Sequence, residues 1–269
     1  MLPKSEMLLR QSVVRHLLES DTALEMGWRV QAYRQFEQVL SDKGFPCLFG
    51  RRANKSGSCL LLFIPCEHEQ QALRDGMEEY VKFVNDTPLE DRLFNPLIVI
   101  FEKNDFNSLA EEQAYAWATL QQLHDGDRSP WPAKACTDPE VFEWTYHFAG
   151  LPMFINMSFP RHSAMKSRSL GGHIVFVVNP RENFDEVASA ETESGRKVRE
   201  KIRQRIADYN NGVVPDTLGF FGDRSSLEWK QYQLYEEGGL ALSRCPLHIK
   251  VDKTDHLNSV EYPWIYRCC

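Results

Sequence analysis

The segment Phe159-Pro-Arg-His-Ser-Ala-Met-Lys-Ser-Arg-Ser-Leu-Gly-Gly172 sets one histidine among three cations and several serines, ahead of a glycine pair. Imidazole is the commonest side-chain metal ligand, and its charge changes near neutral pH. Arg161, Lys166 and Arg168 could neutralise carboxylates on a ligand, the arginines in two-pronged fashion. Two apolar runs flank the segment, Leu151 to Ser158 and His173 to Asn179, and both read as strands. A connection held at each end by buried sheet can place polar groups accurately. The competing reading is a solvated turn.

Other segments carry chemistry of their own. Gly44-Phe-Pro-Cys-Leu-Phe-Gly50 is a tight aromatic turn with one thiol. Cys47 could ligate a soft metal or a haem iron as thiolate, or be a buried thiol in a rigid corner. Leu218-Gly-Phe-Phe-Gly222 precedes Glu228-Trp-Lys-Gln-Tyr232. An aromatic loop beside a carboxylate could box a cation, or Trp229 and Tyr232 could simply pack inward. His147, in Trp144-Thr-Tyr-His147, reads as a core or helix-end histidine. Cys59, Cys66 and His68 read as packing residues around a strand rather than zinc ligands.

The chain has no G-x-G-x-x-G after a strand and no G-x-x-x-x-G-K-[ST], so neither common dinucleotide or triphosphate cradle is expected. H-E-x-x-H and G-x-S-x-G are absent, which disfavours zincin and α/β-hydrolase chemistry. Without C-x-x-C-H, a haem would not be attached through that covalent signature.

The elements that must position these groups alternate along the chain without a repeat. Ser20-Asp21-Thr22 offers N-caps for a helix to about Leu40, which Gly44 ends. Cys59 to Pro65 and Pro96 to Phe101 read as strands buried on both faces. Helices are expected from Glu67 to Val84, from Ser108 (opening a capping box) to His124, and from Asp138 to Phe148, where Pro139 suits a first turn. A charged helix follows from about Asp185 to Tyr209, its Arg196–Arg203 pattern a solvated face. The expectation is an α+β fold of mixed layers, a single domain over residues 1–269. Its central sheet has about four to six strands flanked by helices, and residues 1–20 form an N-terminal helical extension.

Composition sets outer limits. At 269 residues, 42% apolar and 26% charged, the chain is ordinary for a globular protein. A net charge of -7 disfavours nucleic-acid partners. No segment approaches the ~18 consecutive apolar residues of a membrane span, and Met1 to Ser20 lacks a signal-peptide core. Seven cysteines without disulfide spacing suggest a reducing compartment, so a cytoplasmic protein is expected. Cys268-Cys269 could pair between chains, which leaves a homodimer open.

The ordered set of short motifs resembles the YqcI/YcgG family. It comprises Phe45-Pro-Cys47, Ser158 to Arg168 with His162, Leu170-Gly171, Phe176 to Phe184 with Asn179-Pro-Arg181, Arg205 to Tyr209, Leu218-Gly219, Phe221-Gly222 and Glu228-Trp-Lys-Gln-Tyr232. The chain departs from the family pattern in Ser163-Ala-Met-Lys166, where arginine is usual, and in Val214-Pro-Asp216, where a His-Pro pair is usual. The resemblance implies a haem b-dependent oxygenase, using molecular oxygen to N-hydroxylate a guanidine or amine group of arginine or a derivative in a natural-product pathway. On that implication His162 is the first choice of axial ligand and Cys47 the second. Arg161, Lys166 and Arg168 would meet the propionates. Glu228, then Asp223, would grip the guanidinium, with Trp229 and Tyr232 beside it. Electrons would come from an external reductase. The alternative is a haem-binding sensor or carrier without catalysis.

Overall fold

Two runs with no polar position, Leu60–Ile64 (β2) and Leu97–Phe101 (β3), lie side by side and parallel, buried along their whole length. Their side chains alternate between two cores. Leu60, Leu62 and Ile64 face one, and Leu61 and Phe63 the other. This is what a continuous apolar strand requires, a covered layer on each side. The chain is seen in a computed structural model that describes residues 7–20, 26–189, 191–219 and 223–250. Among them the sheet has six strands in the order β1-β2-β3-β6-β5-β4. The outer members are Leu9–Arg10 (β1), Tyr146–Phe148 (β4), Leu151–Ser158 (β5) and Val175–Pro180 (β6). Every pairing except β2 with β3 is antiparallel.

The larger core fills the face covered by Glu69–Asp86 (α4) and Leu109–Asp125 (α6), with Trp117, Trp144, Trp229 and Tyr232 packed in it. Gly76 lets α4 approach β2 closely, since a Cβ there would lie 2.5 Å from the Leu62 methyls. The second core lies under Gln11–Glu19 (α1), Trp28–Ser41 (α2) and Leu48–Ser56 (α3). Short helices Leu89–Arg92 (α5) and Arg181–Val187 (α7) and the long Glu193–Tyr209 (α8) complete the fold, which is α+β.

Several expected elements differ. The helix anticipated at Asp138 to Phe148 does not form: turns lead into β4, whose Tyr146 and Phe148 are fully buried in the larger core. Pro139 met the local preference of a helix start, but the alternating Trp144-Thr-Tyr-His-Phe148 pattern won. The single helix expected from Asp185 to Tyr209 is two, α7 and α8. Thr192 caps the second by accepting the Gly195 N–H at 3.1 Å. The caps proposed at Asp21 and Thr22 lie outside the described residues, and α2 begins at Trp28. Residues 9–19 form β1 and α1, both packed on the second core through Leu9 and Val14.

Candidate functional site

The connection from β5 to β6 is drawn into a closed loop by one carboxylate from far along the chain. Glu236 accepts the backbone N–H groups of Ser163 (2.9 Å), Ala164 (3.2 Å) and Met165 (2.7 Å), and the Ser163 hydroxyl at 3.0 Å. It also accepts His162 Nδ1–H at 2.8 Å. Burial raises the Glu236 carboxyl, but these donors outweigh it and hold it down at about 2. An ionised Glu236 is acceptor only, so the neutral His162 ring carries its proton on Nδ1. Its Nε2 is buried and has no hydrogen-bond partner among the described residues. Burial depresses the imidazole pKa against the pull of Glu236. A carboxylate fixing one nitrogen and leaving the other bare is the arrangement of a ligand-ready histidine.

The three cations of the loop diverge. Arg161 turns to α6, pairing with Glu112 at 3.5 Å and donating to the Phe106 carbonyl. Lys166 is exposed on the short 3-10 turn Lys166–Arg168. Arg168 runs inward and donates to the Gln231 and Tyr232 carbonyls at 2.8 and 3.1 Å. Burial lowers its pKa to about 10, with Cys47 nearby pulling the other way.

Glu228 is buried and fully engaged within the chain. Its Oε1 accepts from Thr145 Oγ1 at 2.6 Å and from the Tyr232 hydroxyl at 2.7 Å, and its Oε2 lies 2.9 Å from Arg181 Nη1. Burial raises its pKa, and Arg181 opposes that rise. A guanidinium of the protein's own already faces the carboxylate expected to meet a substrate. Trp229 and Tyr232 are buried beside it, packed on Trp117. Asp223 stays near the surface and closes a turn on Ser225, accepting its N–H at 2.9 Å and its hydroxyl at 2.7 Å. Residues 220–222, next to it in sequence, lie outside the described residues, as do Cys268 and Cys269. His147 sits in the core on β4, its Nδ1–H directed to the Thr145 carbonyl at 3.0 Å.

Cys47 marks a different place. It caps α3, its sulfur accepting the Gly50 N–H at 3.2 Å, and it lines a cavity of about 180 Å³. Burial pushes the thiol up, and the helix-start N–H groups resist. The walls are aromatic: Phe36, Phe45, Phe49, Phe94, Phe154 and Phe184. Neutral polar groups on β5, β6 and α7 line one side, namely Asn156, Ser158, Asn179 and Asn183. The cavity therefore joins Cys47 to the sheet but does not include His162, Glu228 or Asp223.

Glu236 lies in none of the motifs read from the sequence, and Arg181 and Thr145 lie in two of them without an assigned role, because each acts through a distant partner. Asn156 and Ser158 did leave a signal, two polar positions on one face of an otherwise apolar strand.

This donor set fits a haem in kind. A thiol at a helix start, flat aromatic faces and no carboxylate among the lining residues suit the iron and apolar ring. No lysine or arginine lines the cavity to meet the propionates, however, and Arg161, Lys166 and Arg168 stand outside it. Pockets for drug-sized ligands run to roughly 300–1,000 Å³, so the aromatic walls must part to admit one.

Comparison with known proteins agrees with the motif set. A family model described as the YqcI/YcgG family matches residues 36–248. The protein named "Putative N(omega)-hydroxy-L-arginine synthase DcsA" of Streptomyces lavendulae is 38% identical over 224 residues, covering 82% of this chain and 84% of that one. YcgG and YqcI of Bacillus subtilis (strain 168) are 31% and 27% identical, each covered over 87% of its length, with 81% and 82% of this chain aligned. No solved structure matches at comparable significance. With the family model spanning the cavity walls, the Glu236 loop and the buried Arg181–Glu228 pair, the chain belongs to the YqcI/YcgG family.

Proposed function

We propose that this protein is a haem-dependent oxygenase that N-hydroxylates the guanidine group of arginine or a close derivative. The observation that carries the reading is the 38% identity, over most of both chains, to the protein named "Putative N(omega)-hydroxy-L-arginine synthase DcsA". The aromatic, thiol-bearing cavity supports it by offering a place of the right chemistry. When bound, haem supplies the oxygen and electron chemistry that no side chain can. The balance is one guanidine N–H, one dioxygen, two electrons and two protons in, and one N–OH and one water out.

The chain's own part is binding, orientation and exclusion of water. The phenylalanine walls would hold the macrocycle and keep water from it. Cys47 or His162 would supply the axial bond. Cys47 lines the cavity; burial pushes its thiol up, and backbone N–H groups and nearby Arg168 oppose that rise. His162 carries a bare Nε2 backed by Glu236 but stands outside the cavity. The lining amides would orient a polar group of the substrate. Lys166, exposed on the loop and outside the cavity lining, would meet a propionate.

The test uses protein purified after haem supplementation. The expected result is a Soret band that shifts on adding arginine, and a product heavier by one oxygen when a reductant is supplied. Cys47→Ser and His162→Ala separate the two ligands: the variant that loses the band identifies the axial residue. A colourless protein that binds no haem would end the proposal, and a band unmoved by any guanidine compound would point to a carrier.

A further inference from the structure

Hydroxylation with dioxygen consumes two electrons, and the described residues include no nicotinamide or flavin cradle of a common type. On the oxygenase reading these electrons come from another protein, and the charge distribution marks one place for their entry. The chain as a whole carries -7, yet α3 has Arg51, Arg52 and Lys55 with no acidic residue in Leu48–Ser56. Helix α8 has six basic residues against three acidic ones.

The two helices are joined at the cavity. Arg205 of α8 donates to the carbonyls of Lys43 and Phe45 at 2.6 and 2.7 Å, just ahead of the Cys47 cap of α3. Tyr209 meets Phe45 edge to face, with ring centroids 5.7 Å apart. Asn210, after α8, accepts the Ser167 N–H at 2.9 Å, and Ser167 and Phe45 both line the cavity. Arg52 lies over Phe94, another wall residue, at 3.7 Å. Helix α3 therefore supplies part of the cavity wall, and α8 packs behind that wall through Phe45, while the remaining surface is acidic on balance.

We infer that α3, the Lys43 loop and α8 form the docking surface for a small acidic electron-carrier protein, which delivers electrons one at a time through the cavity wall. This rests on the oxygenase reading above. A protein negative overall and positive at one face repels an acidic partner everywhere except where the exposed lysines stand, which orients the encounter before contact. Nucleic acid is the less suitable polyanion, since a chain of -7 repels its long phosphate backbone beyond the patch.

The test uses haem-loaded protein with the charge-reversing pair Lys55→Glu and Lys201→Glu, two exposed residues outside the cavity lining. Haem reduction under carbon monoxide is followed by stopped flow, with a reduced plant-type [2Fe–2S] ferredoxin and, separately, with dithionite. The expected result is a drop of about ten-fold or more with ferredoxin at low salt. Wild type should slow with rising salt far more steeply than the variant. The arginine-induced spectral shift and the dithionite rate should be unchanged. Equal ferredoxin rates at every salt concentration overturn the inference alone. A wild type that holds haem and is reduced by ferredoxin, yet hydroxylates no guanidine with that donor or with hydrogen peroxide, overturns the oxygenase reading and leaves the docking rates to be judged on their own. Binding of the wild type to anionic vesicles, lost in the variant without any change in ferredoxin rate, also counts against it.

Discussion

Single side chains in this protein are set by what fixes their protons. His147 donates Nδ1–H to the Thr145 carbonyl, and burial lowers its pKa from 6.5 to about 4. Between those values the unfolded chain takes up a proton that the folded chain refuses. The stability this neutral imidazole contributes is complete above 6.5 and is lost as pH falls toward 4. His162 is depressed in the same direction and adds to that window. Glu236 acts in a more acidic one, its contribution present above 4.5 and lost as pH falls toward 2. Thermal melts from pH 7.5 to pH 4 should show a falling midpoint, shallower in His147→Gln; an identical slope would remove His147 from the account. Arg181 poses a harsher test. Arg181→Met leaves Glu228 charged or forces its protonation in the core, so a loss of about 3–5 kcal/mol is expected in denaturant unfolding. A loss below about 1 kcal/mol would show that Glu228 is already held protonated.

At the level of elements, the sheet's middle was legible and its margins were not. Continuous apolar runs made β2 and β3 readable, because no other arrangement buries both faces of so short a segment, and β5 and β6 carry apolar runs broken only at Asn156, Ser158 and Asn179. β1 and β4 are two and three residues long and exist only through their pairing partners. The capping box at Ser108 was legible too: Ser108 Oγ accepts the Glu111 N–H at 3.2 Å, although the Glu111 carboxylate reaches the Asn107 N–H instead of closing on Ser108. The site was readable only in part. His162 and Cys47 stood out as residue types, but His162 and Glu236 are 74 positions apart, and nothing local foretells their pairing. The contact of α4 with β2 gives the prediction at this scale. Gly76→Ala places a methyl against Leu62, and overpacking of this kind costs about 1–3 kcal/mol. Adding Leu62→Ala should relieve the clash, and a double-mutant cycle would measure the coupling. Simple additivity would mean that α4 moves aside freely.

For the whole molecule, the proposed chemistry makes it one half of a system. Purified protein with NADPH alone should give no N-hydroxyarginine, and adding a reductase–carrier pair should restore turnover. Activity with NADPH alone would show that a reductant site lies within the chain itself. No helix among the described residues is long and apolar enough to cross a membrane.

The division of the sheet's two faces between separate cores has a practical bearing. Every second residue of a central strand answers to one packing problem and its neighbour to another. Of the cavity's phenylalanines, Phe36 and Phe45 belong to the smaller core and Phe154 alone packs against the larger, so a library that varies them spares most of the tryptophan-rich assembly opposite. Ligand preference in this architecture is thus open to redesign on one side of the sheet, with the other serving as an inert chassis.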